Sequence, residues 1–270
     1  MITFIIANKN RRNFVTECLG SYLSLNISKE LVVIDSESTD GSFEILANHA
    51  DIQISEKDNS VYEAWNKGIK VARGEWICFL NTDDELKAIG MDRIYDKLEN
   101  LSTKIVNFKV EVRNQSNNRV IRKKTKYNFK QIISSPVYFN GFIFHRTVFD
   151  QVGLFNSEFR NCSDQDFLWR CLDAGIRSTF VDEVAYIYLQ HQDSLTMSSS
   201  KTFFREELII AERNQSQSKS KTGKRYSNTW VAWETVSLKY ESNKIMRVIA
   251  RLFHPQTKFL QIQRIFRAIF

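Results

Sequence analysis

The sequence predicts an α/β protein built on a Rossmann-like, mostly parallel central sheet flanked by helices. Three observations predict it. Short apolar runs alternate with segments of helical periodicity over residues 1–84, which is the rhythm of a doubly wound sheet. The runs are near-continuous in apolar residues, as strands buried on both faces are. Each run also stops at polar or acidic residues, most abruptly at Trp76-Ile77-Cys78-Phe79-Leu80-Asn81-Thr82-Asp83-Asp84.

Met1 to Ala7 reads as a central strand, broken by Asn8-Lys9-Asn10. Phe14, Cys18, Leu19, Tyr22 and Leu23 then recur at helical spacing. Glu30 to Asp35 is a second strand, closed by a Ser- and Asp-rich turn, and Phe43 to His49 a short helix. Asp51 to Ser55 is a third strand ending in Glu56-Lys57-Asp58-Asn59. Val61 to Arg73 is a helix with Trp65, Ile69 and Ala72 facing inward and Gly74 as its C-cap. The strand that opens at Trp76 follows. Thr103 to Glu111 and Arg119 to Lys123 read as a hairpin around Asn114 to Asn118. Pro136 to His145 reads as a mixed strand pair able to roof a pocket, and Val148 to Phe155 as a short helix and turn. A helix starts at Ser163 or Asp164 with Phe167, Leu168, Cys171 and Leu172 inward. Val184 to Leu189 is a strand with His191 just after it.

In open α/β sheets ligands collect beyond the carboxyl ends of the strands. Parallel connections bring Asp35, Asp58, Asp83 and Asp84 to one sheet edge. Adjacent carboxylates repel unless a cation separates them, and Mg2+ characteristically takes one or two carboxylates plus substrate phosphates. The plainer reading of the Asp83 run is a polar turn, and that of Asp164 a first-turn acid complementing the helix dipole. The nine glycines form neither G-x-G-x-x-G nor G-x-x-x-x-G-K. A glycine-rich phosphate cradle of backbone N–H groups is therefore not expected, and any bound diphosphate is expected to be neutralised chiefly by a metal.

Four segments together resemble the inverting family 2 glycosyltransferases of GT-A fold, most closely the bacterial branch that builds exopolysaccharide, capsule or O-antigen. They are Val33 to Ser42, Ser55 to Ile69, Gly74 to Asp84, and Ser163-Asp164-Gln165-Asp166 through Arg170. The resemblance covers residues 2 to about 196. It implies a GT-A domain over residues 1–200, with a nucleotide-sugar half (1–100) and an acceptor half (101–200). It implies that Asp35 and Asp58, with Asn8 at the neighbouring strand end, meet the nucleoside of a UDP- or dTDP-sugar. Asn66 and Lys67 would lie near the sugar-diphosphate, and Asp83 would bind Mn2+ or Mg2+. Asn81 and Asp84 would support the metal or the sugar, and His191, with Ser194, would close over the diphosphate. Asp164 falls at the position of the catalytic base. Two departures stand out: Asn81 replaces the first Asp of the family's D-x-D, and Lys57 and Ser60 replace a common Pro and Gly.

Of the 38 Lys/Arg and 31 Asp/Glu, residues 201–270 hold 14 and 5, a net of +9, while the rest nets −2. A near-neutral body predicts no nucleic-acid partner, and a basic tail predicts an anionic one. Residues 244–270 mix Ile, Leu, Val and Phe with Lys and Arg and are split by Pro255. They read as two amphipathic helices suited to a lipid interface, the alternative being a helical pair packed on the domain. The four cysteines form no C-x-x-C pair, and the chain enters a strand at once. Reduced thiols and a cytoplasmic location, peripheral at the membrane, are expected, without a secretory leader. A lipid-pyrophosphate-linked saccharide suits such a tail as acceptor. Two rivals are a sugar nucleotidylyltransferase, disfavoured by a glycine-poor first loop, and a non-catalytic nucleotide-sugar-binding protein.

Overall fold

The computed structural model describes residues 1–114, 120–123, 139–191, 206, 209, 210, 212 and 213, with backbone alone at 121–123. Strand β1 (Ile2–Asn8) lies between parallel neighbours β2 (Lys29–Asp35) and β4 (Trp76–Phe79), and β2 carries the parallel strand β3 (Ile52–Ser55). The crossovers are helices α1 (Val15–Leu23), α2 (Ser42–Ala47) and α3 (Val61–Val71). The continuous apolar runs are explained by two cores, one on each face. Phe4, Ile6, Leu31, Val33 and Cys78 pack with Val15, Leu19 and Tyr22 of α1. The alternating residues Ile5, Val32, Ile34, Ile77 and Phe79 pack with Tyr62, Trp65 and Ile69 of α3.

Beyond β4 come the short strand β5 (Glu85–Leu86) and helix α4 (Ala88–Leu98). Sequence reading assigns neither, although Met91, Ile94 and Leu98 stand at helical spacing and are buried. Next are β6 (Ile105–Asn114), β7 (Val120–Lys123) and β8 (Phe142–His145). Helices α5 (Thr147–Val152) and α6 (Ser163–Asp173) and strand β9 (Ser178–Gln190) follow. The sheet order is β3-β2-β1-β4-β8-β6-β9-β5, with β7 beside β6. β6 and β9 are parallel to each other, while β8 runs antiparallel to both β4 and β6. The predicted hairpin is present as the antiparallel pair β6–β7.

Three expectations change. The described part of Pro136 to His145 is one 3-10 turn (Phe139–Gly141) and one strand, β8, set inside the sheet rather than over a pocket. Phe142, Ile143 and Phe144 are all buried, and a run apolar on both faces belongs in a sheet interior. Gly74 is not the C-cap of α3, which ends at Val71 with Ala72 as cap. Gly74 is needed for close approach: a Cβ there would meet Thr3 Oγ1 at 2.5 Å and Thr3 N at 2.7 Å. The last strand is longer than Val184 to Leu189. Phe108 pairs with Val181 but Lys109 with Val184, so Asp182 and Glu183 form a bulge that interrupts the apolar pattern.

The loop at 115–119, residues 136–138, Ser194 and the helices expected over 244–270 lie outside the described residues. Residues 206, 209, 210, 212 and 213 have helical backbone. Ile210 packs with Phe159, Cys162 and Trp169, so the body's packing continues past residue 200.

Candidate active site

The carboxyl ends of β1, β2 and β3 are aligned, with Asn8 opposite Asp35 and Asp35 opposite Ser55. Asp35 is buried and saturated. Its Oδ1 accepts from Asn8 Nδ2 (2.7 Å) and Ser38 Oγ (2.5 Å), and its Oδ2 from Ser38 N (2.8 Å) and Ser55 Oγ (3.1 Å). Asn8 Nδ2 also reaches Ser42 Oγ at 2.9 Å. Asn8 Oδ1, by contrast, is buried without a partner among the described residues, a state that ordinarily costs about 1–3 kcal/mol. Two non-glycine residues with left-handed backbone, Asn10 (φ 52°) and Glu37 (φ 54°), stand in the loops after β1 and β2. Such conformations concentrate at functional edges.

Asp58 follows β3, and its backbone N–H is held by Ser36 Oγ at 3.3 Å. Burial raises its carboxyl above the usual range, and the Lys67 ammonium opposes that. Lys67 Nζ is itself held by Glu56 Oε1 and the Lys57 carbonyl, each at 3.0 Å. Asn66 does not face this edge freely. Its amide brackets the Phe155 backbone, donating to the carbonyl at 2.8 Å and accepting from the N–H at 2.9 Å.

The two acids after β4 take opposite roles. Asp84 is buried, and its Oδ2 accepts from Tyr186 Oη (2.8 Å), Asn81 Nδ2 (3.1 Å) and Asn140 Nδ2 (3.1 Å). Its Oδ1 accepts from Leu189 N at 3.0 Å. Burial, and then the Asp83 charge, push its carboxyl well up, while these donors oppose. Asp84 thus ties the β4 loop to β9. Asp83 is partly exposed, with Oδ2 at 2.8 Å from His191 Nε2. His191 stacks on Phe14 with centroids 5.0 Å apart. The other oxygen of Asp83 has no partner among the described residues. No group of three or more His, Cys, Asp or Glu close enough to hold a metal ion occurs among those residues. One available carboxylate oxygen fits a cation that takes its remaining ligands from phosphate and water, and not one held in a protein cage.

Asp164 lies in the first turn of α6. Its Oδ1 accepts from Tyr62 Oη at 3.0 Å and from Gln165 N at 2.8 Å. Burial pushes its carboxyl up to about 6, against the Tyr62 hydrogen bond, which lowers it. Tyr62 opens α3, just past the end of β3, so Asp164 is at the same sheet edge as Asp83. One turn further, Trp65 lies against Phe79, the last residue of β4, with centroids 4.5 Å apart. Ser60, a departure from the family pattern, caps α3 by accepting from Glu63 N at 3.2 Å. Glu63 reaches back to Asn59 N at 2.9 Å. Sequence reading missed Tyr62, Asn140 and Tyr186, for which it holds no local signal. It also missed the Ser60-x-x-Glu63 cap, for which the capping-box spacing was the signal.

The glycosyl transferase family 2 profile matches residues 3–153. The chain belongs to glycosyl transferase family 2. A Bacillus subtilis protein named as the uncharacterized glycosyltransferase EpsJ is 24% identical over 218 residues, 73% of this chain and 63% of that protein. The chain thus spans under two thirds of that relative. Staphylococcus aureus TarS 1-349 in complex with UDP-GlcNAc superposes with a TM-score of 0.67 at 16% identity, covering 90% of this chain and 73% of that one. The mannosyltransferase PcManGT from Pyrobaculum calidifontis, in complex with GDP-Man and Mn2+, gives 0.64 at 14% identity, covering 94% and 84%. These likenesses establish the GT-A fold for the family 2 chain.

Proposed function

We propose that this family 2 protein is a metal-dependent, inverting glycosyltransferase that moves a sugar from a UDP-sugar to an acceptor hydroxyl. The observation that carries the reading is topological: Asp83 follows the carboxyl end of β4, and Asp164 meets Tyr62 at the start of α3, just past the carboxyl end of β3. The acceptor oxygen bonds to the anomeric carbon from one face. Its proton passes to the Asp164 carboxylate, and the bond from that carbon to the diphosphate oxygen breaks on the other face. A base titrating near 6 is ionised at neutral pH yet basic enough to take the proton, an effect worth roughly 10²–10⁴-fold. Mn2+ or Mg2+ at Asp83 would neutralise charge on the leaving diphosphate. Asn8 Oδ1, with no partner of its own, suits a nucleoside N–H donor. Asp35 holds the Asn8 amide in place, and Asp58 and Lys67 would meet the nucleoside and the sugar-diphosphate. The UDP-GlcNAc complex of TarS supports a uridine donor, whereas the GDP-Man complex of PcManGT shows that the fold also accepts guanosine.

We further assign the acceptor to the lipid-linked saccharides of bacterial surface polysaccharide synthesis, on the family resemblance and the basic C-terminal region. Asp164→Asn tests the chemistry. Transfer should fall by at least about 100-fold while UDP affinity in calorimetry stays within about two-fold. Retention of more than about a tenth of the activity contradicts the role of Asp164 as base.

A further inference from the structure

The loop that delivers Asp164 is held from the C-terminal region of the chain. Arg160, Asn161 and Cys162 immediately precede α6, and their three consecutive backbone N–H groups all donate to Glu206. Arg160 N reaches Oε1 at 2.8 Å, and Asn161 N and Cys162 N reach Oε2 at 2.7 and 3.0 Å. Glu206 is 7% exposed. A buried carboxylate is tolerated where it is hydrogen-bonded, and bonds to a charged acceptor are the strong ones. Among the described residues no lysine or arginine pairs with it, so its charge is met by backbone dipoles.

The same loop touches the base by a second route. The Asn161 carbonyl accepts from Tyr62 Oη at 2.9 Å, and that hydroxyl also lies 3.0 Å from Asp164 Oδ1. A shift of the Asn161 backbone therefore disturbs the hydrogen bond to the carboxylate as well as the start of α6. The N-cap of that helix, Cys162, makes no side-chain cap hydrogen bond. Further along the C-terminal segment, Arg213 pairs with Asp166, one turn into the same helix, and stands over the Phe159 ring at 5.4 Å.

We propose that Glu206 is a positioning residue for sugar transfer, fixing the 160–162 backbone so that Asp164 faces the acceptor hydroxyl and making the C-terminal region part of the catalytic apparatus. The proposal rests on Asp164 being the base. The groups facing the Asp164 carboxyl are the Tyr62 hydroxyl from α3, the Gln165 and Asp164 backbone N–H groups of α6, and the Glu206 charge. The Glu206 charge raises the pKa of Asp164, so its removal lowers it.

The test compares full-length Glu206→Gln, Glu206→Ala and Asp164→Asn with wild type. UDP release from the best-hydrolysed of UDP-glucose, UDP-galactose and UDP-GlcNAc is followed, with water as acceptor. UDP affinity is measured by calorimetry, and folding by thermal melting. Glu206→Gln keeps the length and one acceptor oxygen. It should lower kcat about ten-fold or more, and Glu206→Ala further, with UDP affinity within about two-fold. The acid limb of kcat should move to lower pH in Glu206→Gln. A role in stability alone would lower the melting temperature and leave kcat of the folded protein and its pH profile unchanged, which overturns the proposal. If Glu206→Ala does not fold, Glu206→Gln decides by the same criteria. An inactive Asp164→Asn beside wild-type turnover in the Glu206 variants removes the positioning role alone. An active Asp164→Asn removes the base, and the positioning role with it.

Discussion

Tyr62 has one hydroxyl hydrogen and two acceptors within reach, the Asp164 carboxylate and the Asn161 carbonyl. Its hydrogen bond to Asp164 lowers a carboxyl that burial has raised to about 6. A base works when deprotonated, so activity should fall as the pH drops through that value. Tyr62→Phe removes the donor and should move the acid limb of kcat upward, opposite to the shift expected for Glu206→Gln. An unmoved limb in a pH–rate profile of the folded variant would contradict the contact. At this scale the residues were unevenly legible. Acidic residues after strands are visible in a linear sequence, and the family pattern singles out Asp83 and Asp164. Which of two adjacent acids turns inward is not visible. Asp84 is chosen by Tyr186, Asn140 and Leu189, each far away in the chain. Asn66 belongs to the motif, yet its amide is committed to the Phe155 backbone, a partner with no sequence signature.

The elements that carry the rim, β1 to β4 with α1 to α3, were legible because period and burial agree. Apolar runs are strands between two cores, and spaced apolar residues are helices on them. Legibility ended where polar residues interrupt a strand, as Asp182 and Glu183 do in β9, and where helix α4 follows a very short strand. The α4–β9 contact matters because β9 carries Tyr186 and Leu189, which hold Asp84. Gly90 makes that contact possible: a Cβ there would lie 2.1 Å from the Val184 carbonyl oxygen. Backbone cannot swing aside as a side chain can. Gly90→Ala should therefore cost about 1–3 kcal/mol and lower the melting temperature by a few degrees, at least about 2 °C. A melt equal to that of wild type would show that α4 shifts without penalty.

The molecule as a whole is asymmetric in charge, with a near-neutral body and a basic C-terminal region. Among the described residues no helix is long and apolar enough to cross a membrane. If the C-terminal region meets anionic lipid, the full chain should float with phosphatidylglycerol-containing liposomes more than with phosphatidylcholine ones, and 0.5 M salt, a concentration of about that order, should abolish the difference by screening. Equal flotation on both lipids would refute it. The body's fold followed from sequence pattern and family resemblance. The docking of Glu206, Ile210 and Arg213 onto α6 did not, because it depends on a distant carboxylate meeting three backbone N–H groups. The proposed function requires that the sheet edge bind a cation-bridged nucleoside diphosphate through Asp83. Calorimetric titration of UDP into wild type and Asp83→Ala, each with Mn2+ and with EDTA, tests it most directly. Wild type should bind UDP at least about ten-fold more tightly with Mn2+, and Asp83→Ala should bind equally weakly in both. UDP binding of the same strength in all four titrations would contradict it.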